Sequence, residues 1–536
     1  MGLGLESVLR PCRLRTWPIL YRWRDFLWNL ARRRRILIPV LGIDIGTGGS
    51  RAIIVADDGS LIASATAEHQ AFTSERAARA EQDPADWWKA CQQAVRSVLS
   101  RSGVQPRQIA CIGLSGQMHG TVVLDDHGQV LRPSIIWCDQ RGEEQCAWLN
   151  QTVGARRLLE LTCNPALTNF TLIKLLWIRE NEPDIWSRVR HVLLPKDYVR
   201  FCLSGEYAID VAEASGTLLL DVANRRWSQE LLGAVDLDAA LLPRVFESPE
   251  ICARVSDQAT KLTGLVAGTP IVAGAGDQAA GAVGMGITRP GTVSATIGTS
   301  GVVFATTDRP ALDPKGRLHT FCHAIPGRWH VMGVTQAAGL SLRWLRDLFT
   351  ESGSYERMTE EAALAPPGAD GALWGPYLMG ERAPHMDPNI RAGLVGLAAS
   401  HTRAHVIRAV MEGVAFSLRD SLTIFSELNV PVERIRLGGG GARSSLWRQI
   451  QADVYNRNVE IIAAEEGAAF GAAILAGVGA GLWPGVDEAC DQVIHATENI
   501  PCQPDVAKLM NERYRDYQRL YPALRGIYPT QDNSHA

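Results

Sequence analysis

The sequence predicts an α/β protein built from two similar halves, and three observations carry that prediction. Strand-like and helix-like hydrophobic patterns alternate for about 490 residues behind a short basic head. A glycine-rich motif, Ile45-Gly46-Thr47-Gly48-Gly49, recurs as Ile297-Gly298-Thr299-Ser300-Gly301, an offset of 252 residues. So long a period marks a duplicated domain and not a solenoid. Finally, the chain has 536 residues, 46% hydrophobic and 21% charged, which is globular composition with material for two large cores.

In chain order, residues 40–56 read as a strand, a Gly-rich turn and a second strand. Asp57-Asp58-Gly59 then turns the chain into a third strand over 60–66. Asp83 is a natural N-cap with Pro84 at the first helical position, opening a helix through Trp87, Trp88, Cys91, Ala94, Val95 and Val98. Residues 109–114 form a short buried strand running into Ser115-Gly116-Gln117-Met118-His119-Gly120. A long helix is expected over 401–428, and a strand at 435–437 ends in four glycines, Gly438 to Gly441, before another helical run. Expected boundaries are a head at 1–39, an amino half at 40–286 and a carboxyl half at 287–528, with a ligand cleft between the halves.

Both hairpin copies offer backbone N–H groups and a hydroxyl to phosphate oxygens. Gly46, Thr47, Gly298 and Thr299 are therefore candidate nucleotide contacts; a plain structural turn is the alternative for either copy alone. There is no G-x-x-x-x-G-K-[ST], so a P-loop is excluded, and the first copy is not a dinucleotide fingerprint. Asp44 stands in an otherwise apolar run, where a carboxylate is unfavourable unless paired or bound to a metal. It reads either as a hydrogen-bond partner of the neighbouring turn or as a ligand, through water, to Mg²⁺ on a nucleotide phosphate. Asp277, between a strand and a helix of very small residues, reads as an N-cap or as a general base for a substrate hydroxyl attacking a γ-phosphorus. Gly439, Gly440 and Gly441 exceed what a tight turn needs and would let an adenine or ribose lie against bare backbone. His119, beside Gln117 and Met118 at a strand end, is a candidate contact for sugar hydroxyls. Trp137-Cys138-Asp139-Gln140-Arg141 holds an ion pair beneath the site or a direct contact; the residues alone leave both open.

The net charge of −3 is the sum of two unlike pieces. Residues 1–39 hold nine arginines and two acids, a net of +7, and the remainder is net −10. An acidic body excludes nucleic-acid binding through bulk charge. In the head, Ile19, Leu20, Trp23, Phe26, Leu27, Leu30 and Ala31 recur at helical spacing between arginines. That pattern suits a helix on an anionic membrane surface, a transit peptide, or translated sequence ahead of a start near Val40; catalysis is expected to survive removal of 1–39. Stable membrane insertion is not expected, since no run reaches eighteen apolar residues. Eleven scattered cysteines without C-x-x-C pairs argue for a reducing, cytoplasmic setting and against a disulfide framework.

Two longer stretches resemble the signatures of the FGGY family of carbohydrate kinases. Phe170-Thr171-Leu172-Ile173-Lys174-Leu175-Leu176-Trp177 is similar to one, with Asn169 departing at its first position, and residues 392–412 are similar to the other. The resemblance runs from about Val40 to about Pro522. It implies two ribonuclease-H-like domains of the actin/hexokinase-like ATPase type around a catalytic cleft, with ATP and a small sugar as substrates and Mg²⁺ as cofactor. Within the family, Gln117-Met118-His119-Gly120, Leu193-Leu194-Pro195-Lys196-Asp197-Tyr198 and residues 376–385 resemble kinases of the ketopentose D-xylulose, phosphorylated at its 5-hydroxyl. The resemblance assigns proton acceptance to Asp277, sugar contact to Met118, His119 and Gln278, activity near Mg²⁺ and ATP to Asp44, and nucleotide contact to Thr47, Thr299 and the 438–441 glycines. Cys138 stands where Asn is usual, and Gln278 where Asn is frequent; both bear on the choice of sugar. A glycerol, ribulose or gluconate kinase and a non-catalytic actin-like ATP-binding protein are the alternatives, and a homodimer is compatible with the family.

Overall fold

The computed structural model describes residues 37–72, 79–349, 354–463 and 467–528. The basic helical pattern expected at 19–31 lies outside the described residues. In the amino half, β1 (Val40–Ile45), β2 (Gly49–Val55) and β3 (Leu61–Glu68) form the expected antiparallel meander. On the other side of β1 lie β4 (Ile112–Gly116) and β6 (Pro270–Val272), parallel to it, and β5 (Ile251–Arg254) closes the edge antiparallel to β6. The sheet order is β5-β6-β4-β1-β2-β3.

Helix α1 (Pro84–Ser102) starts as the sequence predicts. The Asp83 carboxylate accepts the Ala85 N–H at 2.9 Å, Pro84 is its first residue, and Gly103 ends it at φ 67°. Its buried stripe, Trp87, Cys91, Val95 and Val98, lies in one core with Leu41, Ile43 and Ile54 of the sheet. Truncating a capping Asp of this kind to Ala costs about 1 kcal/mol. Four further helices frame the strand ends: α2 (Thr171–Asn181), α3 (Pro195–Ser204), the short α4 (Val211–Ser215) and α5 (Asp277–Gly284).

The carboxyl half repeats the plan. Strands β7 (Gly291–Ile297), β8 (Gly301–Thr307), β9 (His319–Cys322), β10 (Trp329–Thr335), β11 (Val432–Gly439), β12 (Val459–Ile462) and β13 (Ala496–Ile500) run in the order β9-β10-β8-β7-β11-β12-β13. Here β7 takes the place of β1, with an antiparallel hairpin partner on one side and parallel β11 on the other. Helices α6 (Gly339–Leu348), α7 (Arg403–Glu427) and α8 (Ser445–Tyr455) belong to this half. The middle of α7 is buried all round, from Ile407 to Leu418, a mostly apolar run in which Arg408 and Glu412 pair with each other.

Helix α9 (Gly467–Gly479) joins the two halves. It comes from the carboxyl half in sequence yet packs on the amino sheet. A Cβ on Gly42 of β1 would sit 2.1 Å from the Ala469 carbonyl, and one on Gly113 of β4 would sit 2.0 Å from the Ala472 carbonyl. Glycine at both strand positions is what lets the helix backbone approach this closely. The division expected at 286/287 therefore crosses a shared layer in which Val40, Val272, Ala279 and Val283 pack with Ala473 and Leu475. The ten cysteines among the described residues all carry free thiols. Among the described residues no helix is long and apolar enough to cross a membrane.

Candidate active site

Parallel pairing brings three strand ends of the amino half together. Asp44 on β1 lies opposite Ser115 on β4, and Ser115 lies opposite Ala275 of the two-residue strand Ala275–Gly276. Gln117, Met118 and His119 follow directly from β4, and Asp277 follows from Gly276 as the first residue of α5. Carboxyl ends of parallel strands are where open α/β sheets place their ligand crevices. Asp277 does not cap its helix; Gly276 is the N-cap residue. Instead the Asp277 Oδ1 accepts a hydrogen bond from the Gln278 side-chain amide at 3.3 Å.

The electrostatics of this cluster are unusual for exposed acids. Burial, and then the Asp44 charge, raise Asp277 from its ordinary range to about 7. Burial raises Asp44 to about 6 against the opposing pull of Ser115 and Arg51. The Asp44 Oδ1 is buried and accepts no hydrogen bond among the described residues. A third acid, Glu213 of α4, is fully buried, with neither carboxylate oxygen hydrogen-bonded among the described residues. Burial raises it well above its usual value, and the Asp277 charge adds to the shift. Glu213 reaches the residue before Asp277: a Cβ on Gly276 would meet Met118 Cγ at 2.8 Å and Glu213 Oε1 at 3.3 Å.

His119 holds a left-handed backbone conformation, φ 67°, uncommon outside glycine. Its carbonyl is gripped by the buried Lys174 ammonium at 2.6 Å and the Thr171 hydroxyl at 3.2 Å, both from α2. Its ring Nδ1 lies 2.6 Å from the Gly216 carbonyl, so Nδ1 carries the proton and Nε2 is left as an acceptor. Burial first, and then Lys174, lower its pKa to about 3, so the ring is neutral. A neutral imidazole with a free acceptor nitrogen is suited to a hydroxyl donor.

Behind these groups lies a buried ionic layer. Lys196 bonds Asp197 at 2.5 Å and Asp210 at 2.6 Å; Arg200 bonds Asp197 at 2.7 Å and the Ala273 carbonyl at 2.7 Å. All four side chains are fully buried. Asp210 also caps α4 by accepting the N–H groups of Ala212 and Glu213, which fixes the Glu213 backbone. Removing one partner from such a layer costs about 3–5 kcal/mol. Of the two readings of the Trp137–Arg141 segment, the ion pair is present. Asp139, Arg141 and Glu81 form a buried ion-pair group, while Trp137 Nε1 donates to the Thr47 hydroxyl at 2.9 Å. Thr47 is thus tied into the amino half, with Gln82 donating to its carbonyl at 2.8 Å.

The second hairpin opens on a cavity of about 340 Å³, lined in part by Gly298, Thr299, Gly440, Gly441, Arg343 and Tyr355. The Gly298 and Thr299 carbonyls accept the N–H groups of Gly339 and Leu340, which anchors the start of α6 to the hairpin. The glycine run divides by role. Gly439 has φ 72°, and a Cβ there would lie 2.4 Å from the Ile297 carbonyl, so its glycine is required internally. At Gly440 the nearest such contact is 3.9 Å, so that backbone is open toward the cavity.

Motif reading from the sequence missed Glu213 and gave no part to Lys174, although both stand in the cluster. The available signal for Glu213 was a lone acid within Val211-Ala212-Glu213-Ala214, ahead of Gly216.

A duplicated sheet with a glycine hairpin in each half, a carboxylate cluster on one side and a nucleotide-sized cavity on the other define a two-domain phosphotransferase of the actin/hexokinase-like ATPase fold. Residues 39–284 match the N-terminal domain, and residues 293–480 the C-terminal domain, of the FGGY family of carbohydrate kinases, and the chain belongs to that family. It is 38% identical over 490 residues to the xylulose kinase of Bacillus subtilis (strain 168), covering 91% of this chain and 96% of that protein. Among solved structures, the xylulose kinase from Rhodospirillum rubrum superimposes with a TM-score of 0.86 at 31% identity, covering 91% of this chain and 99% of that one. The gluconate kinase from Lactobacillus acidophilus gives 0.87 at 25% identity, covering 92% and 99%.

Proposed function

We propose that this sugar kinase transfers the γ-phosphoryl group of ATP to the 5-hydroxyl of D-xylulose, giving D-xylulose 5-phosphate and ADP. The observation that carries the reading is Asp277. It is an acid raised to about 7, partly by the Asp44 charge, at the end of a strand whose last residue, Gly276, lies against Met118 and Glu213. A base with a pKa near the working pH is well matched to take a hydroxyl proton. Kinship with the Bacillus subtilis xylulose kinase supports D-xylulose as the acceptor.

In this reading Met118 packs against sugar carbons, and His119 Nε2 accepts a hydrogen bond from a sugar hydroxyl. Gln278 steadies Asp277 through the amide contact already described and reaches the substrate beside it. Asp277 takes the proton of the attacking hydroxyl as the new P–O bond forms and the bond to ADP breaks. The hairpins at Gly46–Thr47 and Gly298–Thr299 flank the phosphates, and the 340 Å³ cavity receives the nucleoside, with Gly440 and Gly441 against it. Gly439 shapes that backbone from behind. Closure of the halves over the substrates keeps water from competing as acceptor.

Asp44 suits a divalent cation, being a carboxylate with one oxygen unpartnered among the described residues beside a second acid. It would hold Mg²⁺ through water, and the ion would neutralise phosphate charge as the nucleotide binds. A cytoplasmic setting goes with the free thiols. A homodimer is part of the same proposal, and light scattering tests it.

The deciding experiment presents the purified protein with ATP and D-xylulose, glycerol, L-ribulose or gluconate. A clear preference for D-xylulose by kcat/KM is expected; turnover with no such preference sinks the sugar assignment. Failure of every sugar to stimulate ADP release would favour a non-catalytic ATP-binding protein.

A further inference from the structure

The loop after Gly375 carries Glu381-Arg382-Ala383, which the reading above leaves without a part. The Glu381 side chain turns inward. Its Oε1 accepts the backbone N–H of Gln336 at 2.9 Å and of Arg382 at 2.8 Å, and the Ala383 N–H donates to the Val334 carbonyl at 3.0 Å. These bonds fasten the loop to the end of β10, where Thr335 pairs with Gly301, the closing residue of the second hairpin. Arg382 therefore stands one strand away from that hairpin. Its charge also reaches the seam between the halves. His319 is lowered to about 3 by burial and then by Arg382, and Arg382 contributes to the lowering of His119 as well.

Among the described residues the Arg382 guanidinium makes no hydrogen bond and no ion pair. The buried arginines Arg132, Arg141, Arg200 and Arg408 each face a carboxylate. Glu381 does not serve Arg382 in that way, because one oxygen is committed to backbone N–H groups and burial raises it to about 8. Desolvation draws Arg382 itself below its ordinary range. Arg382 is partly buried, and a guanidinium with no carboxylate against it has donors left for an anion that enters from the open side. The planar guanidinium fork matches phosphate oxygens in a way an ammonium does not.

We propose that Arg382 is a catalytic residue that binds the phosphoryl group in transit, between the second hairpin and His119. The proposal rests on the phosphotransfer reading above. The sugar oxygen forms its bond to the γ-phosphorus while the bond from that phosphorus to the bridging oxygen breaks. The electron pair of the broken bond leaves with ADP, and the hydroxyl proton passes to Asp277. Arg382 donates hydrogen bonds to non-bridging oxygens before, during and after transfer and exchanges no atom.

The test uses Arg382→Gln and Arg382→Lys in the full chain. Calorimetry compares binding of ADP with binding of ADP plus aluminium fluoride, a mimic of the phosphoryl group in flight, both with magnesium. Wild type is expected to bind the mimic more tightly than ADP. Arg382→Gln should keep ADP affinity, lose that increment, and lose ~10²–10³-fold in kcat with ATP and D-xylulose. Arg382→Lys should fall between, and free guanidinium should partly restore Arg382→Gln. If both variants keep the increment and turn over within about threefold of wild type, the proposal is overturned. Should Arg382→Gln fail to fold, Arg382→Lys carries the same judgement. A wild type whose increment is lost on substitution but which ignores D-xylulose would refute the sugar reading and leave Arg382 in place.

Discussion

The two hairpins occupy equivalent places in equivalent sheets, yet they stand in opposite chemical surroundings. In the amino half, the residue before Ile45 is Asp44, the neighbouring strand end leads into Asp277, and Glu213 of α4 approaches Gly276 beside it. In the carboxyl half, the matching residue is Thr296, the parallel neighbour ends in glycines, and a 340 Å³ cavity opens instead. One fold, duplicated, thus holds ionisable groups on one side and space on the other. Backbone topology supplies the crevice twice; the side chain one position ahead of each hairpin and the residues that end the parallel neighbouring strand decide what the crevice does.

The sharpest way to break this comparison is at Asp277. Asp277→Asn should lower kcat by ~10²–10⁴-fold while ATP binding stays close to wild type. Near-normal turnover would remove it from the base role. The same substitution has a second readout of opposite sign. The folded-state pKa of about 7 lies above the ordinary carboxylate value, so this group's contribution to stability is full at low pH and lost as pH rises through 7. A neutral amide escapes that loss. Asp277→Asn should therefore match or exceed the wild-type Tm at pH 8, and a marked fall there would place Asp277 among structural residues.

Next in size is the paired test of Asp44 and Thr296. Asp44→Asn is expected to cut activity roughly 10–100-fold and to raise the magnesium concentration needed for half-maximal rate. Thr296→Val, the equivalent change in the other half, should stay within about threefold. Equal losses would mean that the halves share the chemistry. The magnesium titration separates a lost ion ligand from a lost hydrogen bond.

How much of this was legible beforehand follows from range. The meander, the cap at Asp83, the long helix over 401–428 and both hairpins are local patterns, and residue order alone carries them. Asp44, Met118, His119 and Asp277 were singled out because each breaks its local pattern: an acid in an apolar strand, or a polar cluster at a strand end. Arg382 breaks nothing nearby, and Glu213 departs from its surroundings only as a lone acid in a four-residue stretch. Glu213 becomes informative only when Gly276, sixty-three positions later, comes against its carboxylate. Arg382 does so only when the bonds of Glu381 and Ala383 fasten its loop to the end of β10, beside the second hairpin. The packing of α9 on the amino sheet was hidden for the same reason, since Gly42 and Gly113 read as ordinary strand glycines until a helix backbone lies on them.

A gentler comparison uses the glycines whose side-chain space is open. A Cβ on Gly48 of the first hairpin meets nothing within 4 Å, and one on Gly440 meets only the Ile297 carbonyl at 3.9 Å. Alanine at either position should fold normally, so any kinetic effect reports the approach of a ligand. Gly440→Ala should raise the KM for ATP about tenfold and leave that for the sugar unchanged, because one methyl group would intrude on bound nucleoside. Gly48→Ala reports whether the first hairpin touches phosphate at all. Gly439→Ala is the contrast, and there stability should fall first, since a positive φ and the Ile297 carbonyl both oppose a side chain.

The smallest effect is expected at the aromatic seam. His330 stacks on Phe304 with ring centroids 4.3 Å apart, and burial pushes its pKa well below the usual histidine range. His319 and His323 are lowered to about 3 and about 4 in the same region. For these groups the folded pKa lies below the unfolded one. Their contribution to stability is intact above pH 6.5 and declines as pH falls from there toward 4, because the unfolded chain gains protons that the seam refuses. The raised carboxylates of the amino half act in the other direction over the same interval, gaining stability as pH falls below 7. The pH dependence of Tm is thus a difference between the two regions. His330→Phe keeps a stacked ring and removes one proton-binding group from the unfolded state. It should leave Tm at pH 8 nearly unchanged and raise it by about a degree relative to wild type at pH 5.5, with kcat within about twofold. A Tm gain equal at both pH values would assign the effect to packing, and the seam would then have no part in acid sensitivity.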